Sequence, residues 1–185
     1  MPLGFLSRVG DPGTVKGLEW LVEEDPPGVP PLSPERVAYV GLRDLDDGER
    51  KILREMRERG MFVSTMQDVD RMGIGRVMDL ALQSLGAGGA HPLHLSYDID
   101  SIDPQASCAL LYGYCSVAPA TGTIFRGGLT FREAIYVAEA VAETGQLGSM
   151  DLVEVNVDLA SPAAARETIE LGIVIVTSAM GSRII

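Results

Sequence analysis

Two pairs of carboxylates, each separated by one residue, are the strongest chemical feature of this 185-residue sequence. Asp98 and Asp100 close one run with strand character, and Asp44 and Asp46 follow an earlier one. In an extended strand, side chains at positions i and i+2 point to the same side, roughly 6.6 to 7 Å apart. Two carboxylates so placed repel each other, which raises the pKa of one of them unless a cation lies between them. The pair of Asp98 and Asp100 therefore indicates a metal ion, a shared proton or an open, solvated turn.

Glu154 is a third acidic feature, because it interrupts an otherwise apolar run in which a buried carboxylate needs a partner. A cation, a guanidinium group or a salt bridge to a lysine or arginine of the chain would serve. Asp44 and Asp46 also have a second interpretation, since acids at the start of a helix favour its dipole. His94 lies about 13 Å before Asp98 along the strand, too far to bind the same ion, and is predicted to be a core or sheet-face histidine.

The elements that must position these residues alternate between strand and helix, which predicts an α/β fold with a parallel sheet and helices on its faces. The predicted strands cover 36–43, 61–66, 92–100 and 150–156, and the predicted helices cover 47–59, 69–85, 131–144 and 161–180. Thr130 followed by Glu133 is the pattern of a capping box. Residues 1–34 are predicted to be loop. Ligands of such sheets bind at the carboxyl ends of the strands, so three strands would bring their acids to one edge.

Composition and charge exclude several classes of protein. The sequence has 15 Lys and Arg against 26 Asp and Glu, a net charge of −11, which is the wrong sign for binding nucleic acid through its phosphates. No apolar run reaches the ~20 residues that span a membrane, and the first residues lack the order of a signal peptide. The two cysteines, Cys108 and Cys115, form no disulfide framework, so a reducing interior is the simplest compartment.

Five segments carry a resemblance to a known family. The segment SYDIDSIDP at 96–104 resembles the Ser-Phe-Asp-x-Asp-x-x-Asp-Pro motif of the ureohydrolases. GLRDLDDGE at 41–49, DRMGIG at 70–75, DLVEVN at 151–156, and APATGT at 118–123 followed by GGLTFRE at 127–133 are similar to arginase segments in the same order. The sequence is thus identified as resembling the carboxyl-terminal portion of an arginase.

The resemblance implies a three-layer sandwich with a mostly parallel sheet, incomplete on its amino-terminal side, in one partial domain of residues 1–185. It also implies hydrolysis of L-arginine to L-ornithine and urea by a hydroxide that bridges two Mn²⁺ ions. Asp98 and Asp100 would then be manganese ligands. By the same likeness, the substrate-binding residues would be Asp44, Asp46, Glu49, Thr123 and Glu154, with Glu154 also catalytic. The residues that join the subunits of a trimer would be Arg132 and Glu133.

The sequence departs from arginases in two places. The histidine motifs of the family precede the matched region, and neither His91 nor His94 falls at a motif position. Residues 105–117 stand where arginases have two or three residues, which predicts an inserted loop.

Two functions stay open. One is an arginase that is active when a missing amino-terminal half is supplied, and the other is an inactive chain that associates with full-length subunits. An unrelated α/β cation-binding domain is a third, more remote interpretation. The expected compartment is the cytoplasm, with the mitochondrial matrix as the alternative.

Overall fold

Parallel strands that alternate with helices make up the computed structural model, which describes residues 16–17, 32–104, 118–122 and 125–183. The strands in these ranges are β1 (Ala38–Leu42), β2 (Phe62–Thr65), β3 (Leu93–Asp98) and β4 (Leu147–Val153). The helices are α1 (Asp47–Glu58), α2 (Met66–Ser84), α3 (Phe131–Glu143) and α4 (Pro162–Ala179). The predicted α/β class is therefore confirmed. The predicted inserted loop at 105–117, with both cysteines, lies outside the described residues.

The described strands form two parallel pairs. β1 pairs with β2, with Ala38 opposite Phe62, and β3 pairs with β4, with Leu93 opposite Leu147. α1 connects the first pair and α3 lies between the strands of the second, as parallel neighbours require a crossover connection. Among the described strands, no ladder of hydrogen bonds joins one pair to the other.

Two hydrophobic clusters hold these layers together. The larger one joins α2, α3 and α4 to both strand pairs, since Val40 of β1 and Phe62 of β2 pack against it, and its buried members include Val77, Tyr97, Ile99, Ile102, Leu171 and Ile175. The smaller one joins α1 to the β1–β2 pair through Val37, Leu53, Met56, Met61 and Val63. Burial of these side chains supplies the main favourable contribution to folding, and the larger cluster connects the two strand pairs through α2, which contacts β1 and β2.

Short polar motifs define where the helices begin. The capping box before α3 is confirmed, because Thr130 N donates to Glu133 Oε2 at 2.8 Å and Glu133 N donates to Thr130 Oγ1 at 3.3 Å. The helix predicted over 69–85 begins earlier, at Met66, and Gly73 interrupts it with a φ of 76°. Among the described helices, none combines the length and hydropathy that a membrane span requires.

The boundaries of two predicted strands are wrong, and both errors change where the acidic residues lie relative to the sheet. The strand predicted over 92–100 ends at Asp98, where the chain turns into a short 3₁₀ helix, Ile99–Ser101. The strand predicted over 150–156 lies three residues earlier, at Leu147–Val153, because its pairing with β3 runs from Leu147 to Val153. Apolar residues continue past the last ladder pair, so hydropathy alone placed this strand too late.

Candidate functional site

Asp98 and Glu154 come together at the carboxyl end of the β3–β4 pair. Asp98 is the last residue of β3 and stands opposite Val153, the last residue of β4. Glu154 is the next residue of the chain, so the parallel register brings the two acids to one edge of the sheet. Ligands of parallel sheets bind at such an edge.

Asp100 reaches this edge through a turn. The sequence placed Asp98 and Asp100 on one face of a continuous strand, and this is wrong because the strand stops at Asp98. Asp98 Oδ1 accepts a hydrogen bond from the backbone N–H of Asp100 at 3.1 Å. The two carboxyl groups are therefore neighbours by local turn geometry rather than by side-chain alternation.

The electrostatics of the turn affect Asp100 most. Burial raises the pKa of Asp100, and the charge of Asp98, a side-chain hydrogen bond to Asp98 and the charge of Glu154 raise it further, to about 6, against the opposing charge of Arg43. The repulsion expected from the sequence is therefore present at this site. A cation beside the carboxylates or a proton between them would relieve it.

Arg43 is a residue of this site that reasoning from the sequence did not single out. Its guanidinium donates to the backbone carbonyl of Asp100, and to that of Phe125 at 3.4 Å. Its Nε is buried and has no hydrogen-bond partner among the described residues. The position could have been found, because Arg43 directly precedes Asp44 in the segment that resembles arginases.

Glu154 is exposed, which corrects the expectation of a buried carboxylate in an apolar strand. Within the ranges that the structure describes, it forms no ion pair with a lysine or arginine. Its φ of 65° lies in the left-handed region, which costs a residue with a side chain roughly 1–2 kcal/mol. The next residues hold this conformation, since Val155 bridges antiparallel to Thr121 and Asn156 N donates to Ala120 O at 2.9 Å.

The loop 118–122, which bridges to the residues after Glu154, is anchored from α4. Thr168 is completely buried, and its Oγ1 accepts a hydrogen bond from Ala120 N at 3.0 Å. The neighbouring Thr121 is 3% exposed, and its Oγ1 has no hydrogen-bond partner in the described part of the chain. Thr123, which the sequence predicted as a pocket residue, lies outside the described residues.

The acids after β1 have a structural role at the start of α1. Asp46 is the N-cap of α1, and its Oδ1 accepts from Glu49 N at 2.8 Å while Glu49 Oε2 accepts from Asp46 N at 3.0 Å. Asp44 precedes this box in a left-handed conformation, with a φ of 51°. The interpretation of an acidic helix start therefore holds for Asp46. The capping box holds the carboxyl group of Asp46 in place. A role of Asp46 in substrate binding stays a prediction.

The remaining predicted residues lie elsewhere. Glu133 belongs to the capping box of α3, and Arg132 Nη1 lies 2.8 Å from the buried Glu139 Oε2, within the same chain. His94 is a sheet-face residue, but it is exposed on the side of the β3–β4 pair opposite the core. Its ring nitrogens contact Ser149 Oγ at 2.8 Å and Asp151 Oδ2 at 3.1 Å.

The donors at the site fit part of a metal centre. Carboxylate oxygens such as those of Asp98 and Asp100 suit Mg²⁺, Ca²⁺ or Mn²⁺. Across residues 32–104, 118–122 and 125–183, no group of three or more His, Cys, Asp or Glu side chains is placed to hold a metal ion. The described residues therefore do not complete a two-metal site.

Comparison with known proteins places the chain in the arginase family. Residues 27–181 match the profile of the Arginase family. The chain is similar to the arginase of Emericella nidulans, at 43% identity over the whole chain and 50% of the relative, and to that of Glaciozyma antarctica, at 43% identity over 84% of the chain and 41% of the relative. The solved arginase of Bacillus caldovelox matches with a TM-score of 0.77 and 32% identity, covering the whole chain and 53% of that protein. The chain spans about half the length of these relatives.

Proposed function

The chain belongs to the arginase family, and we propose that it supplies the carboxylate side of an active site that hydrolyses L-arginine to L-ornithine and urea. One observation carries the proposal. In a chain with this family match, the parallel pairing of β3 and β4 brings Asp98, Asp100 and Glu154 to the ligand-binding edge of the sheet. The half of the relatives that this chain does not span would complete the site.

Glu154 is suited to bind the substrate guanidinium. Carboxylates hold guanidinium groups through two parallel hydrogen bonds, which orient the group as well as attract it. Glu154 is exposed and forms no ion pair with the described residues, so its charge is available to a ligand. The bridge between Thr121 and Val155 fixes the backbone on one side of it and thereby orients its carboxyl group.

Asp98 and Asp100 would serve as manganese ligands. Two bound Mn²⁺ ions would lower the pKa of a shared water and so supply hydroxide at neutral pH. The protein side of this arrangement is the turn that holds Asp100 against Asp98, together with Arg43, which binds the Asp100 carbonyl and fixes the turn from β1. Further ligands would come from the half that the chain does not span.

The remaining assignments follow the family resemblance. Asp46 would bind the substrate α-amino group, held in place by its capping box, and Asp44, Glu49 and Thr123 would line the same pocket. Arg132 and Glu133 would lie near the contacts of a trimer. The protein would act in the cytoplasm, with the mitochondrial matrix as the alternative.

Complementation tests this function. The chain is co-expressed with the complementary half of the Emericella nidulans arginase, and urea release from L-arginine is measured with added Mn²⁺. Activity is expected in the complex and is expected to fall at least 100-fold with Glu154→Gln. The matched control is Asp158→Asn, an exposed acid four residues further on, which should retain activity. No urea from a folded complex, or equal activity of both variants, would contradict the proposal.

The second candidate function is an inactive chain that binds full-length arginase subunits. The incomplete donor set of the described residues favours it. In that case, adding the chain to an intact arginase of the family lowers its urea release in proportion to the amount added. Unchanged activity with no co-migration of the two proteins would exclude it.

A further inference from the structure

Four polar side chains lie side by side on the exposed face of the β3–β4 pair. His94 and Ser96 come from β3, and Ser149 and Asp151 come from β4. All four residues are exposed, and the apolar residues that alternate with them pack against the larger hydrophobic cluster. Three hydrogen bonds between side chains connect the four residues, which we call the polar row.

An irregularity in the pairing of β3 with β4 brings Ser149 onto this face. Leu93 pairs with Leu147, but the next residue, His94, pairs with Ser149, so Gly148 is left between the two pairs. In a regular ladder His94 would stand opposite Gly148, and Ser149 would point to the apolar face instead. Extra residues of this kind occur next to active sites, where they re-aim a side chain. Here the irregularity sets a hydroxyl directly opposite an imidazole.

The chemistry of the donors fixes the direction of the three hydrogen bonds. The Asp151 carboxylate only accepts, at Oδ1 from Ser96 Oγ at 2.6 Å and at Oδ2 from His94 Nε2 at 3.1 Å. A neutral imidazole with its proton on Nε2 has a free lone pair on Nδ1. That lone pair accepts from Ser149 Oγ, which lies 2.8 Å away. The three residues therefore stand in the order of a nucleophile, a base and a carboxylate that orients the base.

We infer that the polar row is a further catalytic site, at which small activated esters acylate Ser149 with His94 as the general base. Ser149 Oγ bonds to the carbonyl carbon of the ester and its proton passes to His94 Nδ1. The ester C–O bond then breaks, and the alcohol leaves with that proton. In the second step water attacks the acyl carbon and gives its proton to Nδ1, and the acid leaves as Ser149 Oγ regains a proton. Asp151 and Ser96 are positioning residues, since they act through the imidazole.

The exposure of the polar row decides the class of substrate. The side chains of His94 and Asp151 are 53% and 47% exposed, so the negative charge that develops on the ester oxygen is largely solvated by water. Amides need stronger stabilisation of that charge, whereas aryl esters with a good leaving group need little. His94 also lies about 13 Å before Asp98 along β3, so the polar row is separate from the candidate site. The inference is therefore independent of the proposed function.

Reaction with p-nitrophenyl acetate tests the inference on the full chain, with a chelator present so that no bound metal contributes. Release of p-nitrophenol is followed by absorbance, and the acetylated residue is identified by mass spectrometry of peptides. Acetylation of Ser149 with turnover is expected. Ser149→Ala should abolish this modification, and His94→Gln should slow p-nitrophenol release by roughly tenfold or more. His91→Gln is the matched control, because His91 is exposed and lies outside the polar row, and it should react like the parent.

Asp151→Asn tests the positioning role with a separate measurement. NMR of the ring nitrogens should show His94 protonated on Nε2 in the parent and shifted toward Nδ1 in this variant, which should also react more slowly. All variants should keep the parent's circular dichroism spectrum, since the replaced side chains are exposed. Acetylation only of residues other than Ser149, equal rates of His94→Gln and His91→Gln, or a parent His94 protonated on Nδ1 would overturn the inference.

Discussion

The carboxyl group of Asp98 accepts a hydrogen bond from the backbone N–H of Asp100 at 3.1 Å, and this bond is part of the turn that brings the two acids together. It turns the chain at the end of β3 so that the second carboxyl lies beside the first. Asp100 is thereby held in a partly buried position next to a like charge, with its pKa raised to about 6. The carboxyl groups of Asp98 and Asp100 therefore repel each other, and a bound cation or a proton would reduce this repulsion.

The raised pKa of Asp100 predicts how stability changes with pH. A carboxyl whose pKa is higher in the folded than in the unfolded protein stabilises the fold below the unfolded value of about 4, and that contribution is lost as the pH rises through about 6. Asp100→Asn removes this titration. In metal-free buffer, the parent should therefore lose stability relative to Asp100→Asn between pH 4 and pH 7, as measured by urea unfolding. Parallel curves for the two proteins would contradict the assignment.

Asp68 predicts a pH dependence of the opposite sign. Its carboxylate accepts hydrogen bonds from Thr65 N at 2.8 Å and Thr65 Oγ1 at 2.9 Å, and the backbone bond is the main cause of its lowered pKa. A lowered pKa stabilises the fold above the unfolded value, and this contribution is lost as the pH falls through the folded value. Asp68→Asn should therefore destabilise the chain at pH 7 by about 1 kcal/mol and less at pH 3. A difference that does not shrink on acidification would refute this role.

Replacement by alanine should cost different amounts of unfolding free energy at Gly128 and at Gly172. At Gly128 an added Cβ would lie 2.5 Å from the backbone oxygen of Ser101, and at Gly172 it would meet the end of the Leu152 side chain at 2.8 Å. The backbone at Ser101 cannot make room for the added Cβ without moving the turn after Asp100, whereas the Leu152 side chain can change its rotamer. Gly128→Ala should cost about 1–3 kcal/mol of unfolding free energy, and Gly172→Ala should cost less. Thermal unfolding of both variants compares them, and a larger loss at Gly172 would be the contrary result.

Thr168 predicts a link between α4 and the loop before Glu154. Thr168→Val keeps the shape of the side chain but leaves Ala120 N without its acceptor, at a cost of about 1–3 kcal/mol. Thr168→Ser keeps the hydroxyl and should restore the bond. Amide hydrogen exchange should quicken at Ala120 and Asn156 in the valine variant and return toward the parent rate in the serine variant. Equal protection in all three proteins would show that the loop does not depend on this anchor.

Much of the fold could be predicted from local sequence signals. The capping box of Thr130 and Glu133, the glycine after α1 and the apolar runs of β1 and β3 each act within a few residues, and the corresponding elements are found, although β3 ends two residues before the predicted strand does. The boundaries of β4 could not be predicted in this way. Val155 and Val157 continue the alternation of apolar residues beyond Val153, but the end of β4 is decided by the length of β3, which is a non-local partner.

In the candidate site, too, some features follow from the local sequence and others depend on residues that are distant in the chain. The repulsion between Asp98 and Asp100 could be anticipated from their spacing, although the strand geometry assumed for it was wrong. The contact of Arg43 with Asp100 joins residues 57 positions apart, and only the packing of β1 against the turn reveals it. The left-handed backbone of Glu154 likewise could not be predicted from nearby residues, because the bridge beside it joins Val155 to the distant Thr121.

The two strand pairs differ in the length of chain that each one closes, and this difference has a consequence for the order of folding. Closing the β1–β2 pair joins Ala38 to Phe62, 24 residues on, whereas closing the β3–β4 pair joins Leu93 to Leu147, 54 residues on. The longer closure costs about 0.7 kcal/mol more in chain entropy. The unit of β1, α1 and β2 should therefore form first during folding. Hydrogen exchange labelling during refolding would then protect the amides of β1 and β2 before those of β3 and β4.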